Sequence, residues 1–310
     1  MVKNKLDRKP KAIIILGPTA SGKTALGVRL AAKFSGEIIS ADSRQVYRGM
    51  DIGTGKDLAE YQFGDQKIPH HLIDIIQPNT KFNLARYQKL AYKAISEVAR
   101  RGKLPLVVGG SGLYLQAVAD NYLLASVKVD AEKRRELETK DIVELFALLA
   151  QLKPEFAAKL NNSDKNNKRR LVRYLEIASQ ENSFIPSRQE APFDFLVIGL
   201  EISDEKMREK IERRLDMRLD QEGLIAEVER LHQEGVSYQR LISFGLEYKF
   251  VTQFLQGKLS REEMRNKLAT AIYRFAKRQK TWFKRWEKQG RNIAWVKDLA
   301  EAEDLVKKFI

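Results

Sequence analysis

The run Gly17-Pro18-Thr19-Ala20-Ser21-Gly22-Lys23-Thr24 constrains this chain more than any other stretch. It has the form G-x-x-x-x-G-K-[ST], in the context that gives that form meaning. An apolar run, Ala12 to Leu16, precedes it and reads as a strand buried on both faces. A helical segment, Thr24 to Phe34, follows. The glycines let backbone N–H groups turn inward around an anion, and the helix start adds the positive end of its dipole. Lys23 supplies a mobile point charge, and the Thr24 hydroxyl suits Mg²⁺. A phosphate or diphosphate is expected here. The loop alone does not say which, or whether phosphate is the group transferred.

The rest of the chain alternates in the same way. Glu37 to Ser40 is a second short strand, and Asp42-Ser43-Arg44-Gln45 leaves its end. In open parallel sheets ligands bind at the carboxyl ends of the strands, so Asp42 faces the same edge as the loop. A carboxylate there can hold Mg²⁺, accept a proton from a nucleophile, or merely cap the next helix. Asn83 to Arg101 has helical periodicity, and Leu104 to Val108 is another buried strand, ending in Gly109-Gly110-Ser111-Gly112. These units predict an α/β fold: a P-loop NTPase-like, doubly wound parallel sheet.

From about residue 121 to 192 only helical periodicity remains, before strand character returns at Phe193 to Leu200. The expected organisation is a core in two parts, 1–120 and 193–310, with an all-helical insertion at 121–192. Between Met50 and Gln77 the chain is loop-rich; Gly53-Thr54-Gly55-Lys56 reads as a turn with a basic side chain, and His70-His71 as a hydrogen-bonded structural pair. The last long helix is expected over Arg261 to Gln289, with Leu268, Ile272, Phe275, Trp282 and Trp286 on one apolar edge.

Charge narrows the partners. The net charge is +15 and there are no cysteines, which excludes disulfides, thiolate zinc sites and a cysteine nucleophile and fits a reducing compartment. From Arg261 to Arg291 eleven Lys/Arg stand against three acidic residues, and Lys165, Lys168, Arg169, Arg170 and Arg173 form a second cluster. Two concentrated patches favour a nucleic-acid or phosphate-rich partner. No apolar stretch reaches spanning length and no signal-peptide pattern is present; a soluble, cytoplasmic protein without a membrane partner is expected, with a basic, frayed start over Met1 to Lys11. The residues alone leave open an RNA-modifying transferase, an ATP-dependent small-molecule kinase and an RNA-binding ATPase or switch.

Longer motifs separate these. Residues 17–24, Ile39 to Thr54, Pro69 to Asp74, Val108 to Tyr114, Arg169 to Glu176 and Lys277 to Phe283 together resemble the bacterial tRNA dimethylallyltransferases over nearly the whole chain. The Asp-Ser-x-Gln-Val-Tyr and Lys-Arg-Gln-x-Thr-Trp-Phe runs are the specific ones. The resemblance implies transfer of a dimethylallyl group from dimethylallyl diphosphate to the exocyclic amine of adenosine 37 in the tRNA anticodon stem-loop. It implies that the phosphate loop, Gly17, Pro18, Thr19, Ala20, Ser21, Gly22, Lys23 and Thr24, holds diphosphate with Arg214, that Mg²⁺ sits on Thr24, and that ATP is not consumed. Asp42 would be the general base, and Lys23 and Thr24 would assist departure of the diphosphate. The tRNA contacts it implies are Asp42, Ser43, Arg44 and Gln45; Ser111 and Arg134; Arg169, Arg170, Leu171, Val172 and Arg173; and Lys277, Arg278, Gln279, Lys280, Thr281, Trp282, Phe283 and Lys284. A monomer is expected. Ser111 stands where the family usually has Thr, and Leu246 where it usually has Tyr.

Overall fold

The computed structural model describes residues 9–124, 130–180 and 189–310. The start of the expected basic segment, residues 1–8, lies outside them. Among the described residues there are eight strands: β1 (Lys11–Leu16), β2 (Gly36–Ser40), the hairpin β3 (Gln62–Phe63) and β4 (Gln66–Lys67), β5 (His70–His71), β6 (Leu104–Gly109), β7 (Asp194–Leu200) and β8 (Ala294–Val296). Six of them form one sheet in the order β5-β2-β6-β1-β7-β8, and every pairing in it is parallel. β1 lies inside, between β6 and β7, which explains its unbroken apolar sequence.

Alternate residues of β1 serve opposite faces. Ala12, Ile14 and Leu16 pack with Tyr87, Ala91, Ile95, Leu115, Phe283 and Trp286, whereas Ile13 and Ile15 pack with Leu26, Leu30, Ala302 and Val306. The first face is covered by α2 (Leu84–Arg100), α3 (Gly112–Ala119) and a long later helix; the second by α1 (Lys23–Lys33) and a C-terminal helix. The sheet is therefore doubly wound, as its sequence predicts.

The chain divides into two compact units, one of residues 1–121 and 190–310, the other of residues 122–189. The smaller unit is helical: α4 (Ala131–Thr139), α5 (Ile142–Leu152), α6 (Pro154–Lys159), α7 (Asn162–Lys165) and α8 (Lys168–Ala178). It has its own core, in which Leu137, Leu145, Leu149, Leu160, Leu171, Val172 and Leu175 meet. Asp141 and Glu144 form a reciprocal capping box that fixes the start of α5.

In the larger unit, β7 is followed by α9 (Asp204–Asp220), α10 (Leu224–Gln233), α11 (Tyr238–Phe244), α12 (Leu246–Leu255) and α13 (Arg261–Lys288), and β8 by α14 (Leu299–Phe309). Ser260 and Glu263 make a second capping box at the start of α13. Among the described residues no helix is long and apolar enough to cross a membrane.

One expectation needs correction. The buried stripe of α13 is Met264, Leu268, Ile272, Ala276, Gln279, Phe283 and Trp286; Phe275 and Trp282 are only half-buried. Steps of four, four, four, three, four and three keep one face inward, and aromatic content alone misplaces it by a residue. The expected turn is present at residues 52–55, where Gly55 N donates to Ile52 O (3.1 Å), and the Lys56 side chain beside it is buried. Its ammonium is fully buried, donating to Tyr47 O (2.7 Å) and Asp51 Oδ1 (2.6 Å) and pairing with Asp74. His70 and His71 form the edge strand β5, where His71 Nε2 lies 2.7 Å from Glu37 Oε2.

Candidate active site

The phosphate loop leaves β1 at the carboxyl edge of the sheet. Ser21 N donates to Pro18 O (3.2 Å), and Ala20 and Gly22 take positive φ values of 63° and 95°. Gly22 then opens α1 with no side chain capping it, so the first amides of the helix stay available to an anion. Lys23 Nζ reaches back to Pro18 O at 3.4 Å.

The loop borders a cavity of about 290 Å³. Its walls come from five places: Thr19, Ala20, Gly22, Lys23 and Thr24 of the loop; Asp42 and Gln45 after β2; Thr54, Gly55, Asp57, Glu60 and Tyr61; Val108 and Gly109 of β6; and Lys210, Arg213, Arg214 and Met217 of α9. Four cations thus oppose Asp42, Asp57 and Glu60. Burial and the Arg214 guanidinium push the Lys23 ammonium down from 10.5 to about 8, against the pull of Asp42, Glu60 and Asp57. Burial also lowers Arg214, with Arg218 adding to it. Burial raises the Glu60 carboxyl, and Asp57 beside it raises it further. Positive charges crowded together without a full set of counter-ions are what an absent polyanion would relieve.

Arg214 donates to Thr19 Oγ1 at 3.1 Å, so α9 is tied directly to the loop. Behind it Arg218, 3 % exposed, pairs with Asp57 at 3.3 Å. Asp42 Oδ1 accepts from Arg44 N (2.7 Å), which turns the chain; its Oδ2 accepts no hydrogen bond among the described residues. Gln45 is committed at both ends: Oε1 accepts from Ser40 Oγ (2.8 Å) and Nε2 donates to Gly55 O (2.9 Å). Ser43 N donates to Ser111 Oγ at 3.4 Å, which joins the glycine turn after β6 to the Asp42 turn. Asp42, Lys23, Thr24 and Arg214 therefore line one cavity.

Mg²⁺ fits this cavity in a particular way. Among the described residues no group of three His, Cys, Asp or Glu side chains could hold a metal by itself. The Thr24 hydroxyl and the Asp42 carboxylate are hard oxygen donors lining the same cavity, suited to a Mg²⁺ that takes its other ligands from phosphate and water.

The basic helix α13 presents its cations in two ways. Lys277 and Lys280 both pair with Asp204, Lys280 at 2.7 Å, and these bonds hold the Asp204 carboxyl down at about 2. Arg278 and Lys284 are exposed and carry no ion pair among the described residues. Arg285 lies over the Trp282 ring at 4.7 Å. Thr281 is exposed, its hydroxyl bonded back to Lys277 O. Phe283 is fully buried in the sheet core, which corrects its implied place in an RNA-contacting surface. Lys280 and Lys284 border a larger cavity, about 960 Å³, on the other side of the phosphate loop.

In the helical unit, Arg134 and Arg173 share the buried Glu176, at 2.8 and 3.1 Å, and Arg170 pairs with Asp164 at 2.5 Å. Arg169 is exposed without an ion pair among the described residues. Leu171 and Val172 are 0 % and 2 % exposed. Their side chains build that unit's core, so the implied RNA contact is corrected there too.

The family model described as IPP transferase matches residues 45–286. The chain belongs to the IPP transferase family. The "tRNA dimethylallyltransferase 1" of Geotalea uraniireducens (strain Rf4) is 47% identical over 301 residues, covering 95% of this chain and 96% of its own. That of Syntrophus aciditrophicus (strain SB) is 46% identical, covering 92% of each. The full-length tRNA isopentenylpyrophosphate transferase of Bacillus halodurans has a similar fold, with a TM-score of 0.70 at 36% identity over 97% of this chain and 95% of that one. A eukaryotic dimethylallyltransferase solved acting on tRNA gives 0.71 at 25% identity, over 96% and 77%.

Some of this transferase's cavity was not legible beforehand. Lys210, Arg213 and Met217 join Arg214 because three- and four-residue steps put them on one side of α9, a spacing visible in the sequence. Asp57, Glu60 and Tyr61 come from a single 3-10 turn, Leu58–Tyr61 with Asp57 before it, too short to carry such a signal.

Proposed function

We propose that this protein transfers a dimethylallyl group from dimethylallyl diphosphate to the exocyclic amine of adenosine 37 in tRNA, giving N6-(dimethylallyl)adenosine. The observation that carries this is the convergence of Lys23, Thr24, Asp42 and Arg214 on one cavity, in a chain whose relatives bear that activity in their names.

The adenine amine is a weak nucleophile because its lone pair is delocalised into the ring. As the N6–C1 bond of the product forms, the donor's C1–O bond breaks and Asp42 takes the amine proton. The electron pair leaves on diphosphate. The loop amides, Lys23 and Arg214 receive that growing charge in a site already built for it. The Thr24 hydroxyl would help to hold a Mg²⁺, which would supply neutralising charge to the diphosphate. No phosphoryl group moves, so ATP is not consumed. The target adenine leaves its stack to reach Asp42, which costs least in a single-stranded loop. The reaction takes place in the cytoplasm, where unmodified tRNA is found.

Incubation with labelled dimethylallyl diphosphate and an unmodified tRNA transcript, ATP omitted, tests the reading. Label in tRNA and release of diphosphate support it. A strict ATP requirement, with phosphorylation of a small molecule, contradicts it.

Two further outcomes follow from the charges. Below about pH 8 the free protein's Lys23 is an ammonium ion and meets the diphosphate at full charge. Above it the proton must be taken up on binding, so donor affinity falls by up to about tenfold per pH unit. Titration of a thio-diphosphate donor analogue from pH 7 to 9.5 measures this, and a flat profile contradicts it. On α13, Arg278→Ala with Lys284→Ala is expected to reduce the slope of log K for tRNA against log salt by about two. Lys277→Ala has a smaller effect, because Asp204 already neutralises that charge. Filter binding across a salt series distinguishes the two.

A further inference from the structure

We infer that Gln279 is a positioning residue of the diphosphate site and does not read RNA; the inference rests on the transferase reading above. Gln279 belongs to the basic run of α13, yet it is 7 % exposed. Both ends of its amide are used. Oε1 accepts from Thr19 N at 2.8 Å, and Nε2 donates to Gly110 O at 2.8 Å. The amide orientation is fixed by its partners, because a backbone N–H can only donate and a carbonyl can only accept.

The two partners leave adjacent parallel strands, β1 and β6, at the same carboxyl edge of the sheet. Thr19 is in the phosphate loop, and Gly110 is in the turn after β6, beside Gly109 of the cavity wall. Gln279 thus spans the carboxyl ends of β1 and β6. The fit leaves no slack: a Cβ built on Gly110 would stand 2.4 Å from Gln279 Nε2. Trp282, one turn further along, seats on Gly112 in the same manner, 2.4 Å from a built Cβ, and donates from Nε1 to Gln116 Oε1 at 3.1 Å. The inner edge of α13 is pinned to the glycine turn at both points.

The chain of contacts continues to the charge that meets the donor. Thr19, held at its N–H by Gln279, accepts from Arg214 at its hydroxyl (3.1 Å). Gln279 therefore fixes the loop residue on which Arg214 rests. The same helix presents Arg278 and Lys284 to solvent. One helix carries two separable roles, and they divide by face.

The experiment measures three quantities on Gln279→Met, a side chain of similar length that cannot bridge the two groups. These are the Kd for inorganic diphosphate with Mg²⁺ by calorimetry without RNA, the KM for dimethylallyl diphosphate, and the Kd for tRNA. Loss of the bridge is expected to weaken diphosphate binding and raise the donor KM by about tenfold each, with tRNA affinity within about twofold of wild type. Lys284→Met on the outer face should show the reverse split. If Gln279→Met does not fold, Gln279→Glu, which keeps the acceptor for Thr19 but cannot donate to Gly110, is expected to shift donor binding in the same direction. Weakened tRNA binding with unchanged diphosphate affinity overturns the inference, as does no change in diphosphate Kd or donor KM. Wild-type protein that binds neither diphosphate nor donor would instead refute the transferase reading, whatever Gln279 does.

Discussion

Asp42→Asn is expected to lower kcat for dimethylallyl transfer by about 10²–10³, with the Kd for tRNA and the KM for the donor changed less than threefold. Asn is the informative replacement. Its side-chain oxygen can still accept from Arg44 N, the 2.7 Å bond that turns the chain after β2, so the loop geometry survives. What is lost is the capacity to take the amine proton. Single-turnover kinetics with saturating tRNA measure the chemical step directly. Equal losses in tRNA binding and turnover would make Asp42 an RNA contact and leave the reaction without its base.

Lys23→Met should divide function from stability. Its kcat/KM for the donor is expected to fall by about 10²–10³, because a charge aimed at the departing diphosphate is gone. The folded protein should become more stable. The native environment lowers Lys23 from 10.5 to about 8, through burial and then Arg214. At pH 7 the ion is charged in both folded and unfolded states, and the folded state bears a penalty of roughly 2–3 kcal/mol. That penalty is fully present below about pH 8 and disappears as the pH rises toward 10.5. Thermal melts at pH 7 should therefore show a higher Tm for the variant, and the difference should shrink at pH 9.5. A variant that melts lower at pH 7 and retains donor affinity would contradict this description of the loop. The cost is of the kind that active sites carry until substrate arrives.

The parts of the fold that the sequence discloses are those with a repeating physical constraint. β1, β6 and β7 lie in a parallel sheet with helices on both faces, so nearly every residue of Ile13 to Leu16 must be apolar. The phosphate loop is legible because each residue type has a fixed task there: glycine frees the backbone amides, lysine meets the anion and threonine suits its Mg²⁺. By contrast β5 has two residues, too few for any period. The acids Asp57 and Glu60 reach the cavity from a segment shaped by buried Lys56 and its partners Asp51 and Asp74, contacts that no local pattern encodes.

The implied RNA-contacting runs show a different limit. A run such as Arg169 to Arg173 or Lys277 to Lys284 is contiguous in sequence, but a helix turns each successive residue by about 100°. Leu171, Val172, Gln279 and Phe283 consequently face inward while Arg169, Arg278 and Lys284 face solvent. Asp204, which holds Lys277 and Lys280, lies more than seventy residues away in the chain. Charge density correctly marks these helices, and only the folded geometry says which of their charges are free.

The most direct measurement is a crystal structure with a thio-diphosphate analogue of the donor and an anticodon stem-loop RNA. The diphosphate is expected within the Gly17–Thr24 loop, in contact with Lys23 and Arg214, with the extruded adenine's exocyclic amine about 3 Å from the Asp42 carboxylate. Diphosphate bound elsewhere, or an adenine amine beyond reach of Asp42 while the analogue fills the loop, would contradict the assignment of this cavity as the place where prenyl transfer occurs.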